Sequence, residues 1–284
     1  MSRISFLNGY FINHDQAMIH IEDRGMQFAD GIYEVILFHN NRLIDNQWHL
    51  ERLFRSLNEI SIQLPYSHEQ ITTACLDLFK QNILVNGSVY LQITRGNATR
   101  NQLIPKGITP TVIMTVSSVK HFTENELDAG ISAITMEDIR WQRCDIKSIG
   151  LLASSLCKQK AADLGYAEAI FVRKDKITEC TFSNLFIVDS IDNLITKPLD
   201  NFILSGITRR RVIELAKQLN IKIIEEEIDT TQLLAAKEVF STSTTLLIRP
   251  ITSVNGQLIG NGKCGKITWQ LIHAYQNFLN ILED

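Results

Sequence analysis

Cysteine is scarce and unpatterned in this chain. The five residues, Cys75, Cys144, Cys157, Cys180 and Cys264, are odd in number, scattered, and include no CxxC pair. That gives no support to a disulfide framework or a thiolate metal cluster, and buried or free thiols in a reducing compartment are the simplest reading. The opening stretch MSRISFLNGYFIN lacks the apolar core of an export signal. No apolar run approaches the roughly 18 residues that a membrane span requires. The expected location is the cytoplasm, with no membrane contact. Charge of one sign is missing too: the net charge is −3 and no long basic run occurs, so nucleic acid is not an expected partner. The densest cations, Arg209, Arg210 and Arg211, read as a solvated helix face or a local anion site. HExxH, clustered Cys/His and GxSxG are all absent, so neither a metal site nor a serine elbow is expected. GNGKCGK comes near a phosphate loop, but Ile267 stands where a magnesium-binding hydroxyl is needed. A polar loop entering the last helix is the better reading there.

What is present is a chain of 284 residues with ordinary apolar content, long enough for two domains. IYEVILF and RLID flank the turn-prone HNN and predict a hairpin. Leu50, Leu53, Phe54, Leu57 and Ile60 recur at helical spacing over 47–60, with Pro65 as a stop signal. A second helix is expected within 67–84, then strands at 88–96 and 109–118. The polar stretch 119–130 reads as a link between a domain of residues 1–118 and one of residues 131–284. In the second part a strand-like run at 131–141 precedes a helix ending near Gly165. AEAIFVR, KITECTF and NLFIV then suggest an antiparallel meander. Helices are expected at 206–219 and 265–281, with a strand over EVFSTST. The fold class is mixed α and β in two domains.

Several features point to an anion. SGITRRR starts a strong helix on a glycine, and the first N–H groups of a helix are unpaired and carry partial positive charge. They suit a phosphate, to which Thr208 can add a hydroxyl. The hydroxyl run STSTT, with Ser243 and Thr244, lies beyond a strand, and Arg52 on the helix 47–60 can supply counter-charge. Each of these residues also serves routinely as a cap, a turn residue or a solvated cation. Lys147 lies between a strand-like segment and a helix, and Glu179 is a carboxylate inside a largely apolar strand. A phosphorylated cofactor held through a lysine, with a carboxylate on its ring nitrogen, fits this set, and pyridoxal phosphate is such a cofactor. A strand glutamate facing solvent remains the commoner arrangement.

Seven blocks in order carry a resemblance over nearly the whole chain: EDRGMQFADGIYEV, HLERLFRS, YLQITRGNATR, EDIRWQRCDIKSIGLLASSLCKQKA, ITECTFSNLF, ILSGITR and FSTSTT. In these the chain resembles the fold-type IV pyridoxal-phosphate aminotransferases, and within them the D-amino acid aminotransferases. Branched-chain aminotransferases, R-selective amine transaminases and aminodeoxychorismate lyases share most of the framework. The resemblance implies a small N-terminal α/β domain and a larger C-terminal domain that binds pyridoxal 5'-phosphate. It implies that Lys147 binds the cofactor aldehyde and moves a proton, and that Glu179 pairs with the ring nitrogen. It assigns Arg52, Ile207, Thr208 and Thr244 to the phosphate, with Ser243 beside them, and packs Leu204 against the ring. It assigns Tyr33 and Arg100 to the substrate carboxylate, with Arg100 supplied across a homodimer. The implied reaction moves an amino group between a D-amino acid, such as D-alanine or D-glutamate, and a 2-oxo acid. An aminodeoxychorismate lyase, a branched-chain enzyme and a non-catalytic cofactor-binding protein are the alternatives. Three positions depart from the family pattern: Gln102 where histidine is usual, and Ala29 and Cys180 where glycine is usual.

Overall fold

The computed structural model describes residues 3–281, over which the chain builds two units. The first takes the chain up to Val119 and, from further along, Ile146–Gly150. It contains β1 (Ile4–Leu7), β2 (Tyr10–Asn13), a short helix α1 (Arg24–Phe28), β3 (Gly31–His39), β4 (Arg42–Leu43), α2 (Asn46–Glu59), α3 (His68–Gln81), β5 (Gly87–Thr94) and β6 (Thr111–Ser117). The strand order is β2-β1-β6-β5-β3-β4, antiparallel throughout. The hairpin over HNN forms because Asn40 and Asn41 both adopt positive φ, 47° and 61°, the backbone a tight turn between twisted strands needs. Leu50, Leu53 and Leu57 of α2 are buried in one cluster with Ile32, Ile36 and Phe38 of β3 and Leu91 and Ile93 of β5. Each such side chain contributes about 1.5–3 kcal/mol by leaving water. Ser67 and Gln70 cap α3 reciprocally.

The distant segment 146–150 joins this unit through backbone pairing. The Tyr33 N–H donates to the Lys147 carbonyl (3.0 Å) and the Ile149 N–H to the Gly31 carbonyl (3.2 Å). Lys147 is therefore tied to the start of β3.

The second unit takes Lys120–Asp145 and the chain from Leu151 onward. The stretch 119–130 carries helix α4 (Glu124–Ala129), capped reciprocally by Thr123 and Glu126. Then come β7 (Ile131–Glu137), α5 (Leu152–Asp163), β8 (Glu168–Arg173), β9 (Lys176–Cys180), β10 (Asn184–Val188), β11 (Leu194–Thr196), α6 (Ile207–Gln218), β12 (Ile223–Glu225), α7 (Thr230–Ala235), β13 (Glu238–Ser243), β14 (Leu247–Val254), β15 (Gln257–Leu258) and α8 (Lys266–Ile281). The main strand order is β12-β11-β10-β13-β14-β7-β8-β9, with β15 on β14. β7 and β8 run parallel with α5 as the crossover.

The expected meander holds for β8 and β9 only. β10 sits between β11 and β13 instead. All five of its residues are buried, and the four after Asn184 are apolar, so the strand needs cover on both faces. The near-phosphate loop at 260–266 is closed to an anion, because the Glu238 carboxylate already caps α8. It accepts from the N–H groups of Ile267 (3.0 Å) and Thr268 (2.7 Å). The five cysteines are all buried and free. Among the described residues, no helix is long and apolar enough to cross a membrane.

Candidate active site

In the first unit the site residues gather on β3 and the segment paired to it. Tyr33 and Glu34 are neighbours on one strand and so point to opposite faces. On Tyr33's face, the Lys147 ammonium lies 4.1 Å from the centroid of the Tyr33 ring, a cation–π arrangement. The Lys147 N–H also reaches Ser56 Oγ of α2 at 3.5 Å. Tyr33 stacks on Tyr90 (5.6 Å between centroids), and Tyr90 donates to Gln92 Oε1 at 2.7 Å. Burial pushes the Tyr90 hydroxyl up to about 12, so that proton stays in place as a donor.

On the other face lies a buried charge cluster. Glu34 accepts from Arg52 through two near-parallel bonds, Nε to Oε1 at 2.7 Å and Nη2 to Oε2 at 2.8 Å. His49 Nδ1 meets the same carboxylate at 2.8 Å. Burial alone would raise the Glu34 pKa, but Arg52 and His49 outweigh it and hold it at about 2. Burial, with Arg52 and Lys147 nearby, lowers the pKa of His49. The expected phosphate ligand Arg52 is thus braced by a carboxylate.

Arg100 and Gln102 stand apart from this group. Both are exposed, and Arg100 Cζ lies 5.1 Å from the centroid of Phe28. Among the described residues, neither forms a hydrogen bond or ring contact with Tyr33.

In the second unit the centre is Glu179. Its carboxylate accepts from Arg140 Nη1 (2.5 Å), Asn184 Nδ2 (2.9 Å) and the Leu204 N–H (3.2 Å). A carboxylate has room for about four donors, so one acceptor position remains. Burial raises the Glu179 pKa, with Arg140 and the Leu204 N–H pulling the other way. Arg140 is itself clamped by Asp138 through Nε (2.9 Å) and Nη2 (3.0 Å). Such a carboxylate favours one further cationic N–H partner.

Asn184 joins this centre to the start of α6. Its Nδ2 also donates to the Leu204 carbonyl (2.9 Å), and a Cβ built on Gly206 would collide with its Oδ1. Gly206 is the N-cap of α6 and no side chain caps that helix. Ile207 and Thr208 are buried in its first turn. Opposite Asn184 in the sheet is Thr242, whose hydroxyl is buried without a partner. Ser243 and Thr244 follow it at the end of β13. Unpaired helix N–H groups, an orphan hydroxyl and a buried carboxylate with one open position fit a phosphorylated pyridine.

A model of the "Amino-transferase class IV" family matches residues 31–254. This chain belongs to the class IV aminotransferases. It is 40% identical over 275 residues to a D-alanine aminotransferase of Staphylococcus epidermidis, covering 96% of this chain and 97% of that one. Among solved structures, the branched-chain amino acid aminotransferase of Escherichia coli superposes with a TM-score of 0.91 at 25% identity, covering 98% of this chain and 95% of that one. The branched-chain aminotransferase of the thermophilic archaeon Thermoproteus uzoniensis, solved with norvaline, superposes with a TM-score of 0.86 at 25% identity, covering 98% and 95%.

Several residues of the candidate site were not among those the sequence of this aminotransferase pointed to. Glu34 and His49 were legible in principle: a lone carboxylate in the apolar strand GIYEVILFH must be paired, and His49 and Arg52 sit one helical turn apart. Arg140, Asp138 and Asn184 carried no signal beyond their polarity. The triplet Arg209–Arg211 meets carboxylates of its own helix and of β12. Arg209 pairs with Glu225 (2.6 Å) and Arg211 with Glu214 (2.9 Å).

Proposed function

We propose that the enzyme transfers the amino group of a D-amino acid, D-alanine or D-glutamate, to a 2-oxo acid, using pyridoxal 5'-phosphate. The observation that carries this reading is the Glu179 carboxylate, buried, held by three donors and left with one acceptor position. Bound pyridoxal phosphate supplies an electron sink for the pair left on the substrate Cα when its proton departs. Glu179 would favour a positively charged ring nitrogen, which would make that sink effective. The N–H groups of Ile207 and Thr208, with Ser243 and Thr244, would hold the phosphate, Arg52 would supply its counter-charge, and Leu204 would pack against the ring. Lys147 would anchor the cofactor, and its amine would hold or move a proton at the substrate Cα.

Tyr33 and Arg100 take the substrate carboxylate, with Gln102 beside them. Arg100 comes from a second copy of the chain in a homodimer. Two facts support that arrangement: Arg100 is exposed, and Met26, Leu103 and Ile104 in the same unit are exposed apolar side chains. Gln102 donates a hydrogen bond but brings no charge where the family commonly has histidine, so substrate binding is expected to be weak. The D-preference is supported by the D-alanine aminotransferase relative.

Incubation with D-alanine and 2-oxoglutarate tests the reading. Stoichiometric glutamate and pyruvate are expected. Pyruvate release from an aminodeoxychorismate with no transamination would favour a lyase. Faster turnover of L-leucine or L-valine, insensitive to Arg100→Ala, would favour a branched-chain enzyme.

A further inference from the structure

Arg24 occupies an unfavourable place for a cation. It is the first residue of α1, where the helix end is partially positive, and it is 3% exposed. Its surroundings show what offsets that cost. Nε donates to Asp30 Oδ2 at 2.7 Å. Nη1 donates to the Asn101 carbonyl at 2.7 Å and lies 3.5 Å from the Leu103 carbonyl. Cζ sits 4.5 Å from the centroid of Phe28.

The anchor behind Arg24 is itself hydrogen-bonded to a distant segment. Asp30 is also held by Arg95 through Nε (2.7 Å) and Nη2 (2.9 Å). Arg95 spends its other N–H groups on the carbonyls of Ser61 (3.0 Å) and Ile60 (2.6 Å). Asp23, which caps α1, accepts from Thr94 Oγ1 at 2.9 Å and bridges to Asn97. The Arg24 N–H donates to the Gly96 carbonyl at 2.9 Å.

The turn that Arg24 grips is closed locally by Asn101, whose Oδ1 accepts from the Leu103 N–H at 2.9 Å. Arg100 and Gln102 flank Asn101 in that turn. Arg100 also lies over the ring of Phe28, 5.1 Å from its centroid. Arg24 thus has its charge matched by Asp30, whereas Arg100 shares the ring and has no carboxylate among the described residues.

We propose that Arg24 is a positioning residue for substrate binding: with Phe28 and Asp30 it fixes the 101–103 turn so that Arg100 and Gln102 meet the substrate carboxylate in one orientation. This rests on the reading of Arg100 as a carboxylate ligand. An arginine is required because a planar fork can serve a carboxylate and a backbone carbonyl together, and an ammonium cannot reproduce that geometry. Holding the turn in advance removes an ordering cost that the substrate would otherwise meet on binding.

The test uses the cofactor-loaded enzyme with Arg24→Lys, Phe28→Leu, Arg100→Ala and the Arg24→Lys/Arg100→Ala double variant. Steady-state constants for D-alanine are measured alongside calorimetric binding of propionate, which has the carboxylate without the amine. Arg24→Lys is expected to raise KM and the propionate Kd about tenfold, with much less change in kcat. It should add nothing further in the Arg100→Ala background, because it acts through Arg100. Phe28→Leu keeps the Arg24 hydrogen bonds and should move the same two constants, so it carries the test where Arg24→Lys lowers Tm below assay temperature. Unchanged KM and Kd, or losses that multiply in the double variant, overturn the positioning role alone. An Arg100→Ala enzyme with unchanged KM overturns the underlying reading and this one together.

Discussion

Glu34 and Arg52 face each other in the interior of the first unit through two hydrogen bonds of 2.7 and 2.8 Å, with Glu34 fully buried. The pair joins a strand that carries Tyr33 to a helix whose Ser56 touches the Lys147 backbone. Glu34→Gln leaves a buried guanidinium without its counter-charge. We expect a loss of about 3–5 kcal/mol in urea unfolding, the usual cost of breaking a buried pair on one side.

The same pair sets an acid limb of stability. The Glu34 pKa is held down to about 2 in the folded chain against an ordinary value of 4.5. Its contribution is complete above the ordinary value and is lost as pH falls towards about 2. His49 acts in the same direction, because its lowered pKa makes the folded state reluctant to bind a proton below the ordinary value of 6.5. Unfolding free energy measured against pH should therefore fall on acidification, and Glu34→Gln should flatten the part of the curve between 4.5 and 2. An unchanged curve would show that other carboxylates govern acid unfolding.

Ala29 is the C-cap of α1 and has φ of 53°, the left-handed region. A Cβ there costs roughly 1–2 kcal/mol, which explains why glycine is usual at this position. Ala29→Gly should raise stability by about 1 kcal/mol, part of the strain relief being offset by the freedom glycine gains when unfolded. A lower Tm in that variant would contradict this account of the departure.

Gly206→Ala would drive a methyl group into Asn184 Oδ1, the residue that holds both Glu179 and the Leu204 carbonyl. Cofactor affinity, followed by absorbance titration, should weaken by about tenfold or more, since a charge-assisted contact is worth about 1.5–3 kcal/mol. Retention of full affinity would place the phosphate elsewhere.

Part of this was legible from residue order alone. The Gly206 cap, Thr208 and the hydroxyl run after β13 follow from the general habits of helix ends and turns. Lys147 and Glu179 stood out because a lysine before a helix and a carboxylate in an apolar strand each need a reason. What stayed hidden depends on packing between distant segments. Glu34 meets Arg52 and His49 only because α2 lies on one face of β3. Arg140 reaches Glu179 only because Asp138 clamps it after β7. The return of residues 146–150 to the first unit is a backbone pairing with β3 that no local pattern announces.

Glu179→Gln should keep the cofactor and lose most turnover. The amide still offers an acceptor to its neighbours, but it brings no negative charge to hold a protonated ring nitrogen. Bound cofactor is read by absorbance and kcat with D-alanine. Turnover close to the unmodified enzyme would show that another group serves the ring.

Lys147 is expected to carry the cofactor. Borohydride reduction of the purified, cofactor-loaded enzyme followed by peptide mapping tests it directly. The reduced cofactor should be found on Lys147, and Lys147→Ala should show no such label and no visible chromophore. A label on Lys158, which the structure places against Glu168 and the Ala167 carbonyl, or on Lys160 would contradict the account.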